Sequence, residues 1–310
     1  GASKRKKRPP CAAHRACHIP SFRVGAFNFM IMNSQDLISF AKLGELDCVN
    51  EIIAAGANLE HRDEKDQYGS TALIAGAEHG HLAVVQRLVN VKAQVNTKDT
   101  KDGGTAIYWA ACKGHFSVVK WLAMEGKASV DIGNNNGSTP LFISAQTGHI
   151  DVVKFLVNQA KAHVDAALKT GATPLVIASE KGILETVRWL VTEGRANVST
   201  TLKSGHTALT IAASFGQLDV VKYLIGVNAS IMAETPDGNA IETALKYHKT
   251  KVAKWLAGEN IKAANKALNR DMGFLHMLHP SIGEAMTYEI PEDKFPKKNH
   301  AETKTDAQTQ

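Results

Sequence analysis

Residues 137–153 read GSTPLFISAQTGHIDVV, and related stretches recur along the chain at a fixed interval. A Gly-x-Thr motif followed by Pro or Ala and an aliphatic residue starts at five glycines, each 34 residues after the last: Gly69, Gly103, Gly137, Gly171 and Gly205. A second glycine lies 11 residues after each of these, at Gly80, Gly114, Gly148, Gly182 and Gly216. Two glycine series in phase over five units indicate an internal repeat.

Each unit has the residue types of two short helices joined by turns. The first glycine suits a turn that needs a positive φ, and the threonine after it is a good N-cap. Pro140 and Pro174 fall at the first helical position, where the missing N–H costs little. The second glycine can end this helix in a left-handed cap, and a second amphipathic helix follows, for example at residues 116–125. Such short helices cannot bury their apolar faces alone, so the sequence predicts an all-α solenoid of stacked helix-turn-helix-hairpin units.

The motifs Gly-x-Thr-Pro-Leu, Ala-Ala, Gly-His and Val-Val-x-x-Leu together resemble the ankyrin repeat, whose period is about 33 residues. The resemblance extends over about residues 34–258 and implies an array of about seven repeats, in which divergent units at 34–63 and 237–258 cap the stack. The histidine that the family often has after Thr-Pro-Leu is replaced by Ile74, Tyr108, Phe142, Val176 and Thr210. Extra residues lengthen the exit of the second helix at Lys127, Lys161 and Arg195.

Composition limits the class of protein and its organisation. The 310 residues are 44% hydrophobic, which excludes a wholly disordered chain, and no apolar stretch approaches the ~18 residues of a membrane helix. Four cysteines are too few for a disulfide scaffold and favour a reducing compartment. We predict four regions: a basic, disordered arm at 1–31, the array at 32–258, a helical cap or extension at 259–290, and a disordered tail at 291–310.

The net charge of +6 is concentrated in the arm. Residues 1–30 carry seven cations and no acid, so residues 31–310 carry 29 cations and 30 acids, a net charge of −1. The five-residue basic run resembles a nuclear-localisation signal, although a disordered basic arm without a targeting function and an organellar transit peptide remain alternatives. We therefore expect an intracellular protein that is cytoplasmic, nuclear or both. The run consists of Lys4, Arg5, Lys6, Lys7 and Arg8.

Three further sets of residues recur at one position per unit, and a packing role is favoured for each. Histidines His81, His115 and His149 cannot converge on one ion, because stacked helices lie about 8–10 Å apart and zinc ligands about 2 Å from the metal. One aromatic residue per unit, each followed directly by a leucine, forms an aromatic ladder, which predicts packing between repeats rather than stacking on nucleic-acid bases. The ladder consists of Trp121, Phe155, Trp189, Tyr223 and Trp255. A row of cations predicts ion pairs with acids three residues earlier, at Asp151, Glu185 and Asp219, rather than phosphate binding. This row is Lys120, Lys154, Arg188, Lys222 and Lys254.

The sequence predicts neither catalysis nor a cofactor or metal. Cys112 lies near His115, but other units have Gln146, Glu180 and Ser214 at its position, which indicates a variable surface slot rather than a nucleophile. The cluster of Cys11, His14, Cys17 and His18 matches no zinc-finger spacing.

The resemblance to ankyrin repeats implies that a monomeric array binds one or more partner proteins on a concave surface, as a scaffold or adaptor. Alternatives are the targeting module of a larger enzyme or secreted effector, and a nucleic-acid-associated regulator that uses the basic arm. The family's contact positions flank the first glycine and precede the second, and the strongest expected contributors are Tyr68, His79, Lys113, Lys181 and above all Phe215, a phenylalanine without a core to explain it. The full set is Gln67, Tyr68, Ser70, Glu78, His79, Lys101, Asp102, Cys112, Lys113, Asn135, Asn136, Gln146, Thr147, Lys169, Glu180, Lys181, Lys203, His206, Ser214 and Phe215.

Overall fold

The computed structural model of the chain describes residues 33–62 and 68–268, and of residues 261–268 it describes the helical backbone only. Within these ranges the chain forms fourteen α-helices in consecutive pairs and no β-strand, so the predicted all-α solenoid is confirmed. The helices are α1 (Ser34–Leu43), α2 (Leu46–Ala54), α3 (Ala72–Glu78), α4 (Leu82–Asn90), α5 (Ala106–Lys113), α6 (Phe116–Met124), α7 (Pro140–Thr147), α8 (Ile150–Asn158), α9 (Pro174–Lys181), α10 (Leu184–Thr192), α11 (Ala208–Phe215), α12 (Leu218–Gly226), α13 (Ala240–Lys246) and α14 (Thr250–Leu268).

The first helix of each middle unit begins at the predicted threonine. The Thr139 hydroxyl accepts a hydrogen bond from the backbone N–H of Phe142 at 3.2 Å, and Pro140 occupies the first helical position. Asn33 takes over this role at α1, where it forms a reciprocal capping box. The predicted threonine caps are confirmed in the other units at Thr71, Thr105, Thr173 and Thr207.

Left-handed residues turn the chain at the end of each helix from α1 to α13. Gly148 ends α7 with a φ of 82°, and Gly137 in the preceding turn has a φ of 88°, values that strain any residue with a side chain. The positive φ predicted for the two glycine series is confirmed at every member. Second helices exit through Lys127, Lys161 and Arg195 at φ of 56–58°, each at a cost of about 1 kcal/mol relative to glycine.

The helices pack in two layers around one continuous core. Each first helix packs against the first helix of the next unit, from α1 to α13, while each second helix packs mainly on its own partner. A single unit contributes fully buried residues such as Leu141, Val153 and Leu156 to a core that runs through all units. Every unit therefore depends on its neighbours to cover its apolar faces.

The last helix spans the predicted boundary between the array and the helical cap or extension. Helix α14 continues through residue 258, where we expected the array to end, as far as Leu268. Gly258 is the one glycine among residues 250–268 and no proline occurs there, so nothing in the sequence stops the helix. The arm at 1–31 and residues 269–310 of the predicted cap and tail lie outside the described residues.

The recurring histidines bind backbone carbonyls of the preceding unit. The Nε2 atom of each histidine lies 2.9–3.1 Å from a backbone carbonyl oxygen of the preceding unit, two residues before the left-handed glycine of that preceding unit. The histidines are His81, His115 and His149. The structural role predicted for these histidines, near the start of the second helix, is thus confirmed. In the part of the chain that the structure describes, no group of three or more His, Cys, Asp or Glu residues could hold a metal ion.

The left-handed glycine and the histidine of the next unit share one small space. A Cβ added at Gly114 would lie 2.5 Å from Nδ1 of His149, so the ring occupies the space that glycine leaves open. Gln217 performs the same task later in the stack, donating from Nε2 to the Glu180 carbonyl at 2.9 Å. Ile183, at the equivalent position between them, has no group that can donate this bond.

The aromatic ladder and the cation row differ in outcome. The ladder residues pack against the core, with Phe155 fully buried, so their predicted packing role is confirmed. The described residues contain none of the predicted ion pairs within the second helices, and two of the three cations reach along the stack to the next unit instead. Lys154 Nζ lies 3.8 Å from Glu185, and the Arg188 guanidinium lies 4.9 Å from the centre of the Tyr223 ring. This corrects the expected pairs Asp151–Lys154, Glu185–Arg188 and Asp219–Lys222.

His149→Ala should lower the free energy of unfolding by about 1–2 kcal/mol, because it removes the bond to the Cys112 carbonyl and opens a void beside Gly114. His149→Gln should recover at least half of that loss, as Gln217 makes the same bond in its own unit. Denaturant unfolding measures both. His163→Ala is the control, since the His163 side chain is exposed; an equal loss in this variant would contradict the proposed role of His149.

Candidate partner-binding surface

A line of exposed side chains runs along the whole stack. In every unit the residue directly before the left-handed turn of the first helix is exposed. Because the first helices pack side by side, about 8–10 Å apart, these residues form one continuous strip, which we call the helix-end row. Its members are Leu43, His79, Lys113, Thr147, Lys181, Phe215 and Tyr247.

The hairpins between units are bonded to one another through their backbones. The N–H of Asn135 donates to the Asp102 carbonyl at 2.8 Å, and the N–H of Lys203 donates to the Thr170 carbonyl at 2.9 Å. Lys169 is bonded in the same way to Asn136 at 3.1 Å. These bonds fix the spacing of the side chains that the hairpin tips present. The structure exposes the predicted tip residues Lys101, Asn135, Asn136, Lys169 and Lys203, and half-buries Tyr68, Asp102 and His206.

The helix-end row and the hairpin tips belong to one surface. In the last unit the Tyr247 hydroxyl donates to the tip residue Asp237 at 2.9 Å, and the Lys246 ammonium pairs with the same carboxylate. The hydrogen bond from Lys246, and after it the bond from Tyr247, hold the pKa of the Asp237 carboxyl below its ordinary value. One residue behind the row, the predicted contact residues are half-buried: Glu78, Cys112, Gln146, Glu180 and Ser214.

One predicted contact residue is buried and one lies outside the described residues. Ser70 is only 1% exposed, because the position between the first glycine and the capping threonine faces the interior of the turn. Ser138, at the same position two repeats further on, is buried in the same way. Ser70 is therefore removed from the candidate surface, and Gln67 lies in the segment 63–67, which the structure does not describe.

A buried carboxylate that the sequence analysis missed organises the second hairpin. Asp99 is 4% exposed, and its two oxygens accept hydrogen bonds of 2.7–3.1 Å from four consecutive backbone N–H groups, those of residues 101–104. The Trp109 indole donates a fifth bond at 2.9 Å. Five donors compensate the desolvation of this charge. In the sequence, the only local indication of this tight hairpin is the pair Gly103-Gly104 that follows Asp99.

An aromatic cluster fixes Tyr68 beside this hairpin. The Tyr68 and Trp109 ring centres lie 4.8 Å apart, and Tyr108 packs edge-on against Trp109 at 5.5 Å. Lys101 Nζ lies 5.5 Å from the centre of the Tyr68 ring. Tyr68 is therefore a half-buried, positioned side chain rather than a freely moving one.

The charges of the surface are partly compensated. Lys113 lies 3.5 Å from Glu78, and Lys181 lies 2.8 Å from Glu180. Each pair joins an exposed ammonium to a half-buried carboxylate at the surface, where such pairs contribute little. No ion pair within the described residues involves the tip residues Lys169 and Lys203. The uncompensated charge of the tips is therefore positive.

Cys112 lacks the environment of a nucleophile. Burial raises the pKa of its thiol above the ordinary value; nearby Lys113 opposes this rise and Glu78 adds to it. The thiol is therefore protonated at neutral pH. The interpretation of Cys112 as a variable surface slot agrees with this environment.

The sequence analysis did not identify two exposed apolar members of the helix-end row, Leu43 and Tyr247. Phe215 is 52% exposed, as the sequence suggested, but Tyr247 at 45% and Leu43 at 60% lie at the same structural position in the end units. The last unit begins 32 residues after its predecessor, from Thr207 to Asn239, so a search at a step of 34 does not place Tyr247.

Comparisons with known proteins agree with this architecture. A family model described as ankyrin repeats matches three times, at residues 37–134, 124–201 and 185–268. No curated protein matches the chain significantly. Among the described residues no helix is both long and apolar enough to cross a membrane. The basic run at residues 4–8 lies outside them.

Asp99→Asn should destabilise the protein by about 2–3 kcal/mol, because an amide NH₂ would face the N–H donors of Gly104 and Trp109. Asp131→Asn is the matched control, since Asp131 accepts a single bond from the His163 N–H that an amide oxygen can also accept. Denaturant unfolding separates the two; equal effects would show that Asp99 does not organise the hairpin.

In a variant with Cys11, Cys17 and Cys48 replaced by serine, Cys112 should react with iodoacetamide more slowly than free cysteine at pH 7. The raised pKa leaves less thiolate, and the pH–rate curve should shift to higher pH. Urea should abolish the difference. Equal rates in the folded protein and in free cysteine would contradict this expectation.

Proposed function

The chain belongs to the ankyrin-repeat family, and from this premise we propose that it is a protein–protein interaction scaffold or adaptor. The partner binds across the helix-end row and the hairpin tips. The observation that carries the proposal is the unbroken exposure of this row in all seven units, next to tips that backbone bonds hold in place. A surface that is already ordered loses little conformational entropy on binding.

The composition of this surface favours a protein partner. Binding energy in protein interfaces comes mainly from a few aromatic and long polar side chains. Phe215 and Tyr247 offer exposed aromatic area, and Tyr68 is positioned by its neighbours. Lys113 and Lys181 supply polar contacts whose side chains are already partly ordered by Glu78 and Glu180.

We propose a binding role without catalysis, supported by the protonated thiol of Cys112. Nucleic-acid binding through the second helices has no specific support, because the acids Asp151, Glu185 and Asp219 are exposed among the cations. Attachment to a larger enzyme or effector likewise has no specific observation in its favour among the described residues. The protein-binding role is therefore the one that the surface supports best.

The full chain should capture a protein partner from lysate, and the variant Tyr68→Ala/Lys113→Ala/Phe215→Ala should bind it about 100-fold more weakly, since each truncation costs about 1 kcal/mol. Titration of the captured partner against each immobilised variant measures this.

The matched control replaces three exposed residues of the second helices, Lys120, Met124 and Lys222, by alanine. This control should bind like the parent chain, and thermal unfolding should show that both variants are folded. Loss of binding in the control but not in the surface variant would refute the proposed surface.

A further inference from the structure

Phe215 and Tyr247 form an exposed aromatic pair on neighbouring units. Each lies directly before a left-handed residue, Gly216 and His248, and their helices α11 and α13 pack against each other. Both side chains are about half exposed, at 52% and 45%. Two large apolar side chains at equivalent exposed positions of neighbouring first helices favour a covering ligand.

The Tyr247 ring is fixed in position. Its hydroxyl donates to Asp237 at 2.9 Å, and Lys246, which pairs with the same carboxylate, has its Nζ 5.9 Å from the ring centre. The face of the ring is therefore presented without freedom to turn inward. A ligand that packs on it finds a site already in place.

The pair lies in the most basic part of the described chain. Residues 246–254 contain four lysines and no acid: Lys246, Lys249, Lys251 and Lys254. Of these, only Lys246 belongs to an ion pair in the described residues. The side chain of Lys249 lies over Gly216, directly beside Phe215, where an added Cβ would be 3.0 Å from its Cδ. A ligand that covers this pair should therefore combine apolar side chains with several negative charges.

The chain itself contains such a segment. Residues 284–293 read EAMTYEIPED, with four acids and no base, and the apolar residues Met286, Tyr288 and Ile290 alternate with other side chains. Helix α14 is 19 residues long, so its end lies about 28 Å from the aromatic pair near its start. Residues 269–283 can span up to about 50 Å when extended, which is more than enough.

We propose that residues 284–293 dock on the Phe215/Tyr247 pair of the same chain, with apolar side chains over the rings and carboxylates near Lys249 and Lys251. A tether of this length gives an effective concentration in the millimolar range, so even weak contacts are occupied. The segment then competes with any partner that needs the same end of the helix-end row. This competition rests on the proposed function, whereas the docking itself does not.

Photo-cross-linking of the full chain tests the docking. With Phe215 replaced by p-benzoyl-phenylalanine, irradiation of dilute protein should give cross-links within one chain to residues 284–293, mapped by peptide mass spectrometry. Leu43→p-benzoyl-phenylalanine is the matched control, at the exposed apolar position of the opposite end of the row. It should give no cross-link to this segment.

The charges provide a second test. The variant Glu284→Gln/Glu289→Gln/Glu292→Gln/Asp293→Asn should lower the cross-link yield about tenfold, because each exposed charge contact contributes only a small factor. Glu302→Gln/Asp306→Asn should leave the yield unchanged. Cross-links to other segments or to a second copy would overturn the proposal. A cross-link yield that is unchanged when the four acids are replaced would also overturn it. If cross-linking fails while partner capture still depends on Phe215, the scaffold function stands and only the docking is refuted.

Discussion

The left-handed turn between the two helices of a unit is the constraint on which the rest of the structure depends. A residue with φ near 80° must follow the first helix, and glycine adopts this conformation without strain. The missing side chain also leaves space for the next unit's His or Gln, which bonds to the carbonyl two residues earlier. One residue type thus determines both the bend inside a unit and the contact between units.

The binding surface is a consequence of the same turn. Because the chain reverses at the left-handed residue, the side chain just before it cannot enter the core on either helix, and it is exposed in all seven units. Its identity is therefore free to vary, from Leu43 through Lys113 to Phe215. The residues needed for the fold and those available for recognition are separated by a single position.

Features that depend on one unit alone could be predicted from the sequence. The threonine caps and the glycine turns each follow from local residue types, and both were confirmed. The errors concern geometry between or beneath units: Ser70 faces inward, Lys154 pairs across the stack, and Asp99 gathers donors that only the folded hairpin brings together. The spacing of residues in the sequence does not predict which residue of the next unit a long side chain contacts.

The last unit differs from the middle units, because no further repeat follows it among the described residues. It replaces the turn glycine by His248, lengthens its second helix to Leu268 and concentrates lysines in residues 246–254. These charges keep the end of the stack hydrated, and they also surround the exposed Phe215 and Tyr247. The requirement for a soluble end therefore creates a basic, aromatic surface at one end of the array, whereas Leu43 at the opposite end has no comparable run of lysines beside it.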